Sequence, residues 1–163
     1  MGAYFITLNR GKESVCIDLK SEAGRAVFYD LVRKADVVFD NFSVGVTKRL
    51  EIDHAKLAAI NPRIITCSVT GFGETGPEPD RPAFDQVVQG MGGGMSITGF
   101  ADRGPVRSGI PIGDLGGGIF GAMGVLAVVV AREQSGLGQH VDVSMLDVQI
   151  SLLNYMATMY LMS

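Results

Sequence analysis

Residues 36–69, DVVFDNFSVGVTKRLEIDHAKLAAINPRIITCSV, hold two short apolar runs with a helix-like segment between them. The runs DVVFD and RIITCSV are rich in β-branched residues, which is typical of buried strands. Asp53 is a favoured helix N-cap, and Asn61-Pro62 ends a short helix after Ala59. Strand, helix and strand at this short spacing predict an α/β fold with parallel strands.

The flanking segments extend this pattern in both directions. Upstream, composition predicts strands over 4–8 and 14–19 and a helix from Ser21, its N-cap, through Ala35. Downstream, it predicts a loop over 70–82, a short helix over 83–90, a glycine-rich loop over 91–113, a long helix from about Leu115 to Glu133, a strand over 140–143 and a helix over 145–161 capped by Ser144. The last helix reaches the final residues without a cap, and such a sheet usually has more strands, so we expect a piece of a longer protein.

Composition indicates one globular domain and excludes several classes of protein. The 163 residues carry a net charge of −3 without a basic run, which argues against nucleic acid as a main partner. Two cysteines without a CxxC motif and two separate histidines do not predict a metal site. Cys16 and Cys67 both fall in predicted strands, so we expect free buried thiols in a reducing compartment. The N-terminus has no basic stretch followed by an apolar run, so we expect no signal peptide and a cytoplasmic location.

Glycine is the compositional outlier, with 22 residues, of which 13 lie between Gly90 and Gly124. Within this region, residues 115–131 are uncharged and resemble a membrane span with a GxxxG motif at Gly117 and Gly121. The run is short for a span and rich in glycine, and Asp114 and Arg132 bracket it closely. We therefore expect no membrane contact, but a buried helix that packs tightly through its glycines.

Residues 71–76, GFGETG, match the GxGxxG phosphate-binding pattern and follow a predicted strand. That motif binds a pyrophosphate only where it opens a helix, whose N-terminus holds the anion. Here Pro77, Glu78 and Pro79 follow at once. We interpret the segment as a loop without a dinucleotide site.

Asp114 has two interpretations. It stands where the long helix begins, so it suits an N-cap. The same position suits a reactive carboxylate, because helix N-terminal amides stabilise an anion and the flanking glycines leave room for a bulky substrate. The cations Lys20, Arg49 and Arg81, near predicted strand ends, are either solvated surface charges or phosphate ligands. His54 and His140 lack a nucleophile motif such as GxSxG.

Five segments, in order, resemble the family III CoA-transferases, which include formyl-CoA transferase and the carnitine and bile-acid CoA-transferases. They are KADVVFDNFSVGVTKRL (34–50), NPRIITCSVTGFGETGP (61–77), FDQVVQGMGGGMSITGF (84–100), PIGDLGGGIFGAMGVLAVVVARE (111–133) and SGLGQHVDVSMLDV (135–148). The resemblance implies a Rossmann-like parallel sheet with flanking helices. It makes residues 1–163 the central part of an incomplete large domain, and it implies an interlocked homodimer when the chain is full length.

The resemblance also implies residue roles. Asp114 falls on the family's nucleophile, and a coenzyme A thioester would be the substrate, without a permanently bound cofactor. Residues that fall on the family's CoA-contacting segments are Ile17, Asp18, Leu19, Lys20, Asn41, Phe42, Ser43, Arg49, Pro82, Ala83, Phe84 and Asp85. Where formyl-CoA transferase has a lysine and a tyrosine, this chain has Pro82 and Phe84, and Arg81 is the residue that could replace the lysine.

The resemblance predicts transfer of CoA between carboxylic acids through an aspartyl-CoA thioester on Asp114. Placement at a helix N-terminus is expected to lower the pKa of Asp114 and keep it ionised. The alternatives are an acyl-CoA racemase of the same fold, which has a histidine where Phe84 stands, and a CoA-binding fragment without catalysis. The 163 residues alone are expected to be inactive.

Overall fold

The computed structural model describes residues 2–163 and contains a sheet of three parallel strands. The strands are β1 (Val37–Asp40), β2 (Ile65–Thr70) and β3 (His140–Ser144), in the order β1-β2-β3. In the middle strand Cys67 pairs with Phe39 on one side and Val141 on the other. The predicted α/β architecture and its parallel strands are confirmed.

Helices precede, connect and follow the strands. They are α1 (Ala3–Leu8), α2 (Glu22–Val32), α3 (Val46–Arg49), α4 (His54–Ile60), α5 (Asp85–Met91), α6 (Ile112–Ser135), α7 (Met145–Leu153) and α8 (Tyr155–Met162). The three predicted caps are confirmed, because Ser21, Asp53 and Ser144 each accept a hydrogen bond from the backbone N–H three residues on.

The first twenty residues differ from prediction. Residues 4–8 form helix α1 rather than a strand, and residues 14–19 have no regular structure. A strand needs a neighbour for its backbone N–H and C=O groups. Within residues 2–163 the 14–19 run pairs with no strand and the outer edge of β1 stays unpaired, so this run is not part of the sheet.

Two other predicted boundaries also move. The long helix begins at Ile112 instead of about Leu115. The helix predicted over 145–161 is interrupted at Asn154, whose φ of 50° separates α7 from α8. Asparagine tolerates this left-handed φ better than most residues, which is why the break falls there.

Helix α6 packs against one face of the sheet through its glycines. A Cβ on Gly117 would lie 2.9 Å from Val69 Cγ1, and one on Gly121 would lie 2.9 Å from Phe39 Cζ. The core between helix and sheet includes Cys67, and the members of this cluster are Cys67, Val69, Val88, Val143, Met145 and Val148. The glycines therefore bring the helix backbone close to the strands, as the sequence predicts.

The opposite side of α6 is apolar and exposed, so the expectation of a buried helix is correct for one face only. Its exposed stripe consists of Leu115, Ile119, Met123, Leu126 and Val130. By length and composition alone α6 would suffice to cross a membrane. What the structure shows is a helix with one face packed on a sheet and the other uncovered.

A second core lies beneath α2 and α4. It is formed by Val32, Ile52, Leu57 and Ile64, each at most 5% exposed.

Arg132, near the end of α6, is buried beside the residues that precede β1 and β2. It donates hydrogen bonds to Asp36 Oδ1 and to the carbonyl of Arg63, both at 3.0 Å. These contacts tie the C-terminal end of α6 to the starts of β1 and β2.

The two cysteines are both free, as predicted, but they occupy different environments. Cys67 is buried in β2, whereas Cys16 is exposed outside any strand, so its predicted burial is wrong. Burial raises the pKa of the Cys67 thiol to about 11, and the charges of Asp40 and Asp142 add to the rise.

Because the thiolate is the reactive form, we expect iodoacetamide at about pH 8 to label Cys16 and leave Cys67 unmodified. Mass spectrometry of the cysteine peptides checks this. Unfolding in guanidinium should make both residues react, which serves as the control. Equal labelling of the two cysteines in the native protein would contradict the placement of Cys67 in the core.

Candidate active site

Asp114 is the third residue of α6 and lies in its first turn, with an exposed side chain. The N-cap position belongs to Pro111, whose side chain makes no capping hydrogen bond. The interpretation of Asp114 as the N-cap is therefore wrong. Among residues 2–163, no side chain or backbone group donates a hydrogen bond to its carboxylate.

The free N–H groups at the start of α6 are capped from another helix. Asp85, the first residue of α5, accepts hydrogen bonds at Oδ1 from Gly113 N at 2.8 Å and from Asp114 N at 3.4 Å. Its other oxygen, Oδ2, accepts from Gln89 Nε2 at 2.7 Å. Asp85 is only 8% exposed. This tertiary cap leaves the Asp114 carboxylate free for chemistry.

The electrostatic surroundings of Asp114 contradict the predicted direction of its pKa shift. Partial desolvation raises the pKa of Asp114 above its ordinary value, and the nearby charge of Asp85 raises it further. The prediction that the helix N-terminus lowers this pKa is therefore wrong in direction. Asp114 therefore keeps its proton to a higher pH than an isolated aspartate.

Two of the segments predicted to contact CoA meet at one cavity of about 280 Å³. Residues 41–43 line one side of it and residues 81–84 the other. Asn41 Nδ2 donates to the carbonyl of Val69 and so fastens the turn after β1 to β2. The cavity lies at the carboxyl ends of these strands, where open α/β sheets bind their ligands.

Arg81 and Phe84 lie at the rim of this cavity. Arg81 pairs with Glu78 at 2.6 Å, and its guanidinium lies 5.3 Å from the centre of the Phe72 ring. The ion pair is exposed and therefore weak, so a phosphate could displace Glu78. Phe84 is 78% exposed. It directly precedes Asp85, so the cavity rim is joined to the group that caps the Asp114 helix.

The other residues predicted to contact CoA lie elsewhere. Ile17, Asp18, Leu19 and Lys20 form the approach to α2, where Lys20 N donates to Asp18 Oδ1. Arg49 ends α3 and lies against Gly45. None of these five lines the cavity between residues 41–43 and 81–84. Asp85 does not line the cavity either, and both of its carboxylate oxygens accept hydrogen bonds from protein groups.

The GFGETG segment forms a loop, and no helix follows it before Asp85. Gly73 has a φ of 80°, and its N–H donates to Thr70 Oγ1. Glu74 N donates to both carboxylate oxygens of Asp142, at 3.1 and 2.9 Å. The backbone amides are thus directed toward the protein itself, and the interpretation as a loop is confirmed.

The structure also brings together side chains that the sequence analysis did not connect. Gln89 is 1% exposed and donates a hydrogen bond to Asp85, although a glutamine inside a helix carries no sequence signal of burial.

The two histidines also lie close together. The ring centroids of His54 and His140 are 6.0 Å apart, and both rings contact Thr66 Oγ1. Burial and the neighbouring His140 lower the pKa of His54. Among residues 2–163, no three His, Cys, Asp or Glu side chains are grouped to hold a metal ion.

The chain is similar to several known proteins. The family model for CoA-transferase family III matches residues 1–163. The chain is 48% identical over 153 residues to the acetyl-CoA:oxalate CoA-transferase of Acetobacter aceti, covering 93% of this chain and 39% of that enzyme. It is 42% identical over 161 residues to the succinate–glutarate CoA-transferase of Agrobacterium fabrum, covering 99% of this chain and 40% of that enzyme.

Among solved structures, a CAIB/BAIF family protein from Brucella suis superposes with a TM-score of 0.95 and 40% sequence identity. The match covers 99% of this chain and 43% of that one. The chain thus spans about two fifths of the length of the curated relatives and the solved structure that it matches.

Proposed function

Because this chain belongs to CoA-transferase family III, we propose that it moves coenzyme A from an acyl-CoA to a carboxylate through a thioester on Asp114. The observation that carries the proposal is the capping of α6 by Asp85. A carboxylate in the first turn of a helix would ordinarily be drawn to the free N–H groups there. With those groups occupied, the Asp114 carboxylate stays available as a nucleophile.

The proposed reaction proceeds in four steps. The Asp114 carboxylate attacks the thioester carbonyl, the C–S bond breaks, and CoA thiolate leaves behind a mixed anhydride. The thiolate attacks Asp114 Cγ, releases the donor acid and forms the aspartyl-CoA thioester. The acceptor carboxylate then attacks Cγ of this thioester, the Cγ–S bond breaks, and the departing thiolate leaves a second anhydride. Attack of the thiolate on the acceptor acyl carbon gives the new acyl-CoA and restores Asp114.

Glycine supplies the space and the hydrogen-bond donors that this chemistry needs. Gly118 faces open space one turn beyond Asp114, so the helix presents no side chain there. Backbone amides of the glycine-rich loop over 91–113 would stabilise the oxyanions that develop at each tetrahedral step. No side chain has to move a proton, because carboxylate and thiolate are the attacking groups throughout.

The cavity rim supports a role for Arg81 in holding a CoA phosphate. We expect Arg81→Ala to weaken binding of acyl-CoA about tenfold, since a hydrogen bond between charged groups contributes about 1.5 kcal/mol or more. The Michaelis constant for acyl-CoA measures this. Arg33→Ala is the control, because Arg33 forms a similar exposed pair with Asp30 away from the cavity. Equal effects of the two substitutions would contradict phosphate binding by Arg81.

The raised pKa of Asp114 predicts how transfer depends on pH. Only the ionised carboxylate attacks, so kcat/KM should fall as the pH drops through this raised pKa. Asp85→Asn removes a neighbouring negative charge and should lower the pKa of Asp114, which moves the acid limb to lower pH. The position of this limb is the readout, and Asp30→Asn is the control. An acid limb that moves to higher pH would refute the electrostatic assignment.

Phe84 weighs against the racemase alternative. A phenylalanine ring neither accepts nor donates the proton that racemisation of the α-carbon requires. A CoA-binding fragment without catalysis remains the second candidate, supported by the cavity between residues 41–43 and 81–84. Retention of acyl-CoA binding without any covalent adduct in the full-length protein would favour it.

We further propose that residues 1–163 are the central part of the large domain of a longer CoA-transferase, which works in the cytoplasm as an interlocked homodimer. The uncovered stripe on α6 and the open edge of β1 support further chain and a partner, and the two free cysteines support a reducing compartment. The 163 residues alone should then not transfer CoA, whereas the full-length protein should. Measurable CoA transfer by the 163 residues alone would contradict the proposal.

A further inference from the structure

Gln89 joins the glycine-rich loop to the start of α6. Its Oε1 accepts a hydrogen bond from Ser108 N at 2.8 Å, while its Nε2 donates to Asp85 Oδ2 at 2.7 Å and to the carbonyl of Ile110 at 3.4 Å. Its backbone carbonyl accepts from Met95 N at 3.2 Å. The Gln89 side chain therefore joins the loop, at Ser108 and Ile110, to the Asp85 carboxylate that caps α6.

The contacts of Gln89 restrict the orientation of Asp85. A carboxylate held at one oxygen alone can rotate about its side-chain torsion. With Oδ2 bound to Gln89 and Oδ1 bound to Gly113 N, the plane of the Asp85 carboxylate is fixed at both oxygens. Gln89 is 1% exposed, so water does not compete for its donor. The backbone of Gly113 and Asp114 is thus tied, through Asp85, to a glutamine buried in α5.

This arrangement controls where the nucleophile lies. Asp114 N is itself a partner of Asp85 Oδ1, at 3.4 Å, so a rotation of Asp85 would release the residue that carries the reacting group. Misplacement of a reacting atom by about 1 Å costs on the order of a hundredfold in rate. Gln89 also accepts a hydrogen bond from Ser108 N. One side chain therefore contacts the loop directly and the backbone of the nucleophile through Asp85.

We propose that Gln89 is a positioning residue of the transfer reaction, which fixes Asp114 by orienting the Asp85 carboxylate against the backbone of Gly113 and Asp114. The inference rests on the proposed function of Asp114. It assigns Gln89 no contact with substrate. Its effect should appear in kcat rather than in binding of acyl-CoA.

The test is Gln89→Glu in the full-length protein. The substitution keeps the shape and an acceptor for Ser108 N but replaces the donor to Asp85 with a second carboxyl group. Two carboxyls at hydrogen-bond distance share one proton at low pH and repel each other once it is lost. Gln86→Glu is the matched control, because it makes the same charge change at an exposed position of the same helix.

Relative to the unmodified protein at the same pH, we expect kcat of Gln89→Glu to fall about tenfold to a hundredfold at pH 8 and to recover at lower pH, where a shared proton restores the bond. The Michaelis constant for acyl-CoA should change less than about threefold relative to Gln86→Glu. A second variant, Gln89→Met, lacks the donor at every pH, and its kcat should stay low at both. The thermal midpoint of each variant shows that it is folded.

Each outcome decides the matter. Equal kcat for Gln89→Glu and Gln86→Glu at pH 8 would overturn the inference, as would a loss confined to the Michaelis constant. A variant of Asp114 measured alongside separates this from the proposed function. If Asp114→Asn is inactive while both Gln89 variants keep full kcat, only the positioning role fails. If Asp114→Asn remains active, the proposed function fails, and the role of Gln89 with it.

Discussion

Replacing Asp114 with asparagine is expected to lower kcat for CoA transfer at least about a thousandfold. Asparagine keeps the size and shape of the side chain but cannot form the anhydride or the thioester, so both covalent intermediates are lost. Steady-state transfer between an acyl-CoA and a carboxylate, with the full-length protein, measures this. The backbone contact of Asp114 N with Asp85 does not depend on the side chain, so the start of α6 should be preserved.

Asp147→Asn is the matched control for that experiment. Asp147 is the exposed third residue of α7, as Asp114 is of α6, so the same charge is removed from the same helical position. Its kcat should stay near that of the unmodified protein. A comparable loss in Asp147→Asn, or substantial transfer by Asp114→Asn, would contradict the assignment of the nucleophile.

The two variants should also differ in stability. Because the pKa of Asp114 is raised in the folded state, folding favours its protonated form, and the ionised form opposes folding at pH values above both pKa values. Asp114→Asn removes that opposition. We therefore expect its thermal midpoint at neutral pH to be equal to or above that of the unmodified protein, which shows that lost activity does not reflect unfolding.

Gly121→Val is expected to lower the free energy of unfolding by about 3 kcal/mol, because it overpacks the contact between α6 and the sheet. The first carbon of any side chain there would lie 2.9 and 3.0 Å from the Phe39 ring and 3.2 Å from Cys67 Sγ. Phe39 and Cys67 belong to paired strands, so relief requires the helix to move off the sheet. Urea-induced unfolding followed by circular dichroism measures the change.

Gly118→Val provides the control for Gly121→Val. Gly118 lies on the same helix with open space where a Cβ would be, so the same substitution meets no neighbour. Glycine and valine both disfavour a helix relative to alanine, so the change there should stay within about 1 kcal/mol. Equal destabilisation at the two positions would mean that helix propensity, and not packing against the sheet, governs both.

Elements whose signals are local were predicted correctly from sequence. The three capping residues act within one helical turn, and the runs around β1, β2 and β3 carry enough β-branched residues to mark them as strands. The 14–19 run carries the same signal but has no regular structure. Strand formation depends on a neighbour, and composition does not reveal whether one is present.

The candidate site was predictable only in part, for the same reason. Asp114 was a candidate from its place at the start of a glycine-rich helix. The segments 41–43 and 81–84 were found through the family resemblance, and they meet at one cavity. Asp85 and Gln89 form hydrogen bonds to residues 28 and 19 positions further along the chain, which no local pattern encodes. The direction of the Asp114 pKa shift was missed because burial and the charge of Asp85 raise this pKa, and both effects arise only in three dimensions.

The central claim is that Asp114 carries CoA as a thioester during transfer. The most direct measurement is mass spectrometry of the full-length protein quenched in acid during turnover with an acyl-CoA, followed by digestion and analysis of the peptide that contains Asp114. The account predicts a CoA adduct on Asp114 that hydroxylamine removes and that is absent from Asp114→Asn. Turnover at full rate with no adduct on this peptide, or with the adduct on another residue, would contradict it.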